Sequence, residues 1–110
     1  MKHLIDYIKE ALDEDLIREL FLYGTNHRPY YDKYEKPMVD NLIKKGKKDP
    51  GCLNVDLLAS SSVMQKHIKF ITDEYSREFG KVEIKGADRK ELARRLAEYL
   101  INSANDELGL

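Results

Sequence analysis

Three histidines, one cysteine and a run of three serines are the side chains here best suited to metal binding or nucleophilic chemistry. A zinc site draws its ligands from short, regular spacings within one or two elements. His3, His27 and His67 are scattered, and none has a His, Cys or carboxylate at such a spacing. His67 falls beside the apolar stripe of a predicted helix and reads as an imidazole packed at the edge of a core. Ser60, Ser61 and Ser62 lack both the glycine elbow of a hydrolase and an activating Lys at the third position after a serine. Serines inside a helix more often bond back to a carbonyl one turn earlier. Cys52 follows Pro50 and Gly51 in a turn before a helix, where a thiol pKa can fall. As a lone cysteine it reads as buried or incidental. The six glycines never cluster as a phosphate-cradling loop requires. The expectation is no catalytic residue, no metal and no cofactor.

Charge points elsewhere. Residues 26–48 carry seven basic and three acidic side chains, a local excess of +4 in a chain of net charge −1. Arg28, Lys33, Lys36, Lys44, Lys45, Lys47 and Lys48 share that segment with Tyr30, Tyr31 and Tyr34. Lysines neutralise phosphates and exposed tyrosines stack on bases. Arg28, Tyr30, Lys44, Lys45, Lys47 and Lys48 therefore form a candidate nucleic-acid or partner surface. The competing reading packs Tyr31 and Tyr34 inward and leaves the lysines to solvate a loop. Arg89, Lys90, Arg94 and Arg95 make a second basic run, diluted by Glu91 and Glu98.

Helical periodicity must position these residues. Leu4, Ile5, Ile8, Ala11, Leu12, Leu16, Leu20 and Phe21 recur at steps of three and four, predicting a helix over 2–22 that stops near Gly24. Asp13 to Asp15 offer an alternative start within it. Pro29 and Pro37 each suit a first-turn position, which predicts a short turn through Tyr34 and a helix over 37–45. Lys44 to Gly51 reads as the loop that follows. Asn54 caps a long helix over 55–79, closed by Gly80, with Leu57, Ser61, Met64, Ile68, Ile71, Tyr75 and Phe79 facing the core. Residues 81–85 alternate but are too short for a sheet, so they form an extended connection. Asp88 and Glu91 spell a capping box for a last helix over 88–104, whose inner face is Leu92, Ala93, Leu96, Ala97, Leu100 and Ile101. The fold class is all-α, a compact bundle of about four helices in a single domain over 1–110.

Composition agrees with a globular chain: 42% apolar and 35% charged residues support a modest core and a solvated surface. Apolar runs reach only four or five residues, far short of a bilayer span, so no membrane partner is expected. The amino terminus alternates charge with apolar residues, unlike a secretory segment, and the single cysteine does not call for an oxidising compartment. A soluble intracellular protein is expected.

Asn26, Tyr31, Pro37-Met38, Asn41-Leu42 and the KKGKK loop are followed by Tyr75, Glu78, Phe79 and Gly80, then Arg89 and Ala93. In order and spacing, from about residue 19 to 96, this series resembles a family of small all-helical proteins from tailed phages and prophages. Leu53-Asn54 departs from its Tyr-Asp before the long helix, keeping the cap and losing the aromatic. The resemblance implies phage origin and fold but no catalytic residue. Tyr31 reads as an aromatic anchor, Asn41 as a side chain bonding a loop carbonyl, and Arg89 as a helix-start cation seeking a carboxylate.

The opening MKHLIDYIKEA is similar to the capsid-targeting leader of phage internal head proteins, with its Asp6-Tyr7-Ile8 triplet and Glu-Ala end. That likeness implies recognition of Ile8 and Glu10, a cut before Ala11, and release of residues 11–110 inside the head. The combined expectation is a non-enzymatic phage protein acting through a protein partner, either the phage scaffold or a host factor. It would work in the host cytoplasm, or be carried in the virion interior. The alternative is a nucleic-acid-binding accessory using residues 28–48. An unpartnered stripe on the first helix would also permit a homodimer.

Overall fold

The last helix is the longest in the computed structural model, which describes residues 12–109, and four of the others are laid against it. In chain order the elements are α1 (Glu14–Asn26), α2 (Arg28–Tyr30), a π turn (Tyr31–Glu35), α3 (Lys36–Lys48), a 3-10 turn (Pro50–Cys52), α4 (Val55–Ala59), α5 (Ser62–Phe79) and α6 (Gly86–Leu108). α1, α3, α4 and α5 all pack on α6. The architecture is an all-α bundle, with no strand among the described residues.

α6 can serve as the hub because its apolar residues come in adjacent pairs. Leu92-Ala93, Leu96-Ala97 and Leu100-Ile101, with Ala104, bury a stripe wide enough to meet helices on both sides. Ile17 and Leu20 from α1, Val39 and Leu42 from α3, and Met64, Ile68 and Ile71 from α5 complete the core. The part of the first apolar stripe that is described is thus folded back within the chain.

Several helix boundaries differ from the sequence expectation, each for a local reason. Asp13 caps α1, its side chain accepting from the Leu16 amide at 3.2 Å, so the acidic start is the one realised. Gly24 does not end α1. It is buried inside the helix, and a Cβ there would stand 2.9 Å from Ile71 Cδ1. The expected turn through Tyr34 is helical, and Pro37 sits in the first turn of α3 without breaking the run from Arg28 to Lys48. α3 also extends to Lys48, beyond the predicted end at Lys45, so the lysine loop is a last helical turn.

The expected helix over 55–79 is two helices. Ser61 has extended backbone (ψ 155°), its hydroxyl donates to the Leu58 carbonyl at 2.7 Å, and its oxygen accepts from the Met64 amide at 3.1 Å. It therefore caps α5 instead of packing in a continuous stripe. At the two ends of that stripe Leu57 is 67% exposed and Phe79 62% exposed, so neither belongs to the core. Gly80 closes α5 with φ 107°, as its position predicts. Residues 81–85 form the expected connection, with Ile84 buried.

α6 begins at Gly86, and the capping box does not form: Lys85 is the cap position and no side chain caps it. Asp88 instead accepts from the Asp13 amide at 3.1 Å, tying the start of α1 to the start of α6. Glu91 turns to Arg94 and Arg95. No described helix is long and apolar enough to cross a membrane.

Candidate functional site

The π turn decides what faces the core. Tyr30 and Glu35 are both buried, five residues apart, and the later buried positions Val39, Leu42 and Gly46 follow at steps of four, three and four. A π turn closes its hydrogen bonds five residues apart instead of four, so the inserted residue rotates a carboxylate inward that an unbroken α-helix would have placed elsewhere. His67 projects to meet it from α5, between Met64 and Ile71.

The result is a polar chain inside an apolar core. His67 Nε2 lies 3.3 Å from Glu35 Oε1, and Tyr30 Oη lies 3.1 Å from His67 Nδ1 and 3.3 Å from the His67 carbonyl oxygen. The roles of the two ring nitrogens follow from whether Glu35 carries a proton. A neutral Glu35 carboxyl donates to Nε2, Nδ1–H donates to Tyr30 Oη, and the phenol donates to the His67 carbonyl. Only Glu35 Oε2 then lacks a partner. Burial pushes the Glu35 carboxyl up, and His67 only partly offsets it, which fits the neutral form. Burial also drives the Tyr30 phenol far above its ordinary range.

A second polar group lies nearer the surface. Tyr23 donates to Glu78 Oε2 at 3.0 Å and stacks on His27, with ring centroids 4.5 Å apart. Burial and the Glu78 hydrogen bond push the Tyr23 phenol up to about 12.

Two hollows open beside the buried chain and share Met38 and Val63. One, of 190 Å³, lies between Tyr34, Met38, Val63, Lys66 and Phe70, with His67 at its base. The other, of 120 Å³, continues past Asn41 and Lys45 towards Leu58 and Ser61. Together they make a groove between α3 and the α4–α5 break. Phe70 is 43% exposed and Val63 54% exposed along its edge. Tyr34 stacks on Phe70, with centroids 5.2 Å apart, and also touches the buried Tyr30 ring at 4.7 Å.

No family model, curated protein or solved structure matches this chain. The site is therefore read from its own geometry.

A larger cleft of 610 Å³ lies where α4 and α5 meet α6, but its arginines are already engaged. Arg89 donates to the Gln65 side-chain oxygen at 2.9 Å and to the Gln65 carbonyl at 3.3 Å, not to the carboxylate expected of it. Arg94 is held by Glu91 and Glu98.

The six residues of the expected basic and aromatic surface do not come together. Tyr30 is 3% exposed and belongs to the core, because its hydroxyl finds partners on His67 there. Arg28 is exposed at the opposite end of the helical run and pairs with Asp32 at 3.5 Å. Lys44, Lys45, Lys47 and Lys48 are exposed in the last turns of α3, where positive charge complements the helix dipole. His67 is buried with one edge against the 190 Å³ hollow, and Cys52 is exposed. Asn41 is exposed and lines the groove. Ile8, Glu10 and Ala11 lie outside the described residues.

The sequence reading missed Glu35 and the groove. A signal for Glu35 existed in the five-residue step between Tyr30 and Glu35, which matches neither helical spacing. The groove had none, since Tyr34, Met38, Val63 and Phe70 become neighbours only when α3 packs beside α5.

Proposed function

We propose that this chain is a small, non-enzymatic phage protein that works by binding another protein through the groove between α3 and α5. The observation that carries the reading is the exposure of Val63 and Phe70 beside Tyr34 and Met38. Single exposed apolar side chains are ordinary, but four gathered along one groove form the type of aromatic and aliphatic pocket that anchors protein interfaces. The Glu35–His67–Tyr30 chain supports a structural use of those groups, because all three are buried and bonded to one another inside the core.

Phage origin rests on the motif series from Asn26 to Ala93, and carriage in the virion rests on the leader-like opening. On this reading the protein meets a scaffold or host factor, in the host cytoplasm or after delivery from the head. A photo-crosslinking residue at position 63, placed in the full chain during infection, should trap one protein. The same residue at position 47, on the outer face of α3, should not. Equal labelling from both positions removes the groove from the proposal. Intact mass of the protein from purified particles, compared with infected-cell lysate, tests delivery. A particle form starting at Ala11 supports it, and a full-length form confined to lysate refutes it.

Nucleic-acid binding is kept as a second reading for one reason. Lys44, Lys47 and Lys48 are exposed and make no ion pair among the described residues. Tyr30 is unavailable to stack on a base and Tyr34 lies against Phe70, which leaves the half-buried Tyr31 as the remaining tyrosine of that surface.

A further inference from the structure

We propose that the groove receives an amphipathic helix with acidic flanks, contributed by the partner protein. The inference rests on the protein-binding reading and specifies its ligand. Its first support is shape. The groove runs from Tyr34 in the π turn along α3 to Lys45, about 16 Å at the rise of a helix, which accommodates roughly three turns of a second helix. Its walls are helical on both sides, and Met38 and Val63 continue from one hollow into the next. A helix laid there would set residues spaced three and four apart against Phe70, Val63 and Met38 in turn.

The second support is charge. Lys66 lines the hollow at one end and Lys45 the hollow at the other, while no Asp or Glu lines either. Lys33 adds a third ammonium group, 5.2 Å from the centroid of the Tyr34 ring. The nearest acid on α3, Asp40, stands about 160° round the helix from Met38 at 100° per residue, so it faces away from the groove. An apolar strip with a lysine at each end selects a ligand that is apolar on one face and negative beside it. It disfavours a basic amphipathic helix of the same shape.

The test uses a displayed library of helical peptides about three turns long, with leucines at positions spaced three and four apart and all other positions random. Selection is made on the full chain. The expected winners carry Asp or Glu beside the leucine face and bind the wild type by fluorescence anisotropy. They should lose about tenfold or more in affinity for Lys45→Glu/Lys66→Glu, whose exposed positions leave the fold intact by circular dichroism. They should also fail on Val63→Asp. Winners that need Val63 but are neutral or basic, or ignore the double charge reversal, overturn the acidic assignment and leave the groove as a protein site. Winners indifferent to both Val63→Asp and Phe70→Asp, or none at all, overturn the groove as well. A concentration-dependent dimer that Phe70→Asp dissolves makes a second copy of this chain the occupant and also overturns the inference.

Discussion

His67 Nε2 and Glu35 Oε1 face each other at 3.3 Å with side chains only 2% and 0% exposed. An ion pair so placed would have to repay the desolvation of both charges, and Glu35 Oε2 has no hydrogen bond to help. A neutral carboxyl avoids that cost while still donating to the imidazole. The pair therefore links stability to pH in an unusual direction for an acid. Because the folded-state pKa is raised above the ordinary 4.5, the folded state binds more protons above that pH than the unfolded chain does. Stability from this group is complete below 4.5 and is lost as pH rises through the folded value. Glu35→Gln puts an uncharged amide near His67 and removes the titration. Urea melts across pH 4–8 should show the wild type losing stability relative to the variant, by up to about 1.4 kcal/mol per pH unit within that window. Parallel curves would mean that Glu35 is not held neutral.

The phenols provide a second readout of the same core. Tyr23, pushed up to about 12, and Tyr30, raised further, both stay protonated where an ordinary tyrosine has ionised. Stability from the Tyr23 phenol is present below pH 10 and is lost as pH rises towards 12. Absorbance titration at 295 nm should show a Tyr23→Phe variant lacking a late transition, and a Tyr30→Phe variant lacking none before the protein unfolds. A missing step near pH 10 in the Tyr30 variant would contradict its burial.

Much of the scaffold was legible because it depends on one periodicity. The α6 face from Leu92 to Ile101 could be read directly, since a helix buried along one stripe repeats at three and four whatever it packs against. Boundaries set by local competition were harder. Ser61 falls on the predicted stripe of α5, and only its two hydrogen bonds show that the backbone breaks there. The buried polar chain lay beyond periodicity altogether, because a π turn shifts the register and turns Glu35 inward. Asp88 was legible as a cap but not as a tertiary acceptor, since its partner Asp13 lies 75 residues earlier.

The helix break makes Ser61 and its neighbour separable. Ser61→Ala removes the acceptor for the Met64 amide and should cost about 1 kcal/mol in chemical denaturation. Ser60 bonds only to carbonyls of its own helix, Asp56 and Leu57, and is exposed, so Ser60→Ala should be within about 0.5 kcal/mol of wild type. Equal effects would indicate that α4 and α5 behave as one helix.

Arg89 fastens the start of α6 to α5 through a forked grip on Gln65. A lysine ammonium cannot reproduce two donors at that fixed angle. Arg89→Lys should therefore lose most of what Arg89→Ala loses, about 1–2 kcal/mol by urea melts. Hydrogen exchange should quicken first at the α6 amino end. Full rescue by lysine would show that charge alone, not the fork, secures the contact.

Lys44, Lys47 and Lys48 decide between the two functional readings, because they lie outside the groove while Lys45 lines it. If all three met phosphate, replacing them with alanine would shallow the logarithmic salt dependence of DNA binding by about 2.7. The protein-binding reading expects a different pattern. Binding to random-sequence duplex should be no tighter than the non-specific range of about 10⁻⁴ to 10⁻⁶ M at physiological salt. Crosslinking from position 63 should survive the triple substitution unchanged. A steep salt slope that collapses in the triple variant, with crosslinking lost alongside it, would move the function from the groove to the end of α3.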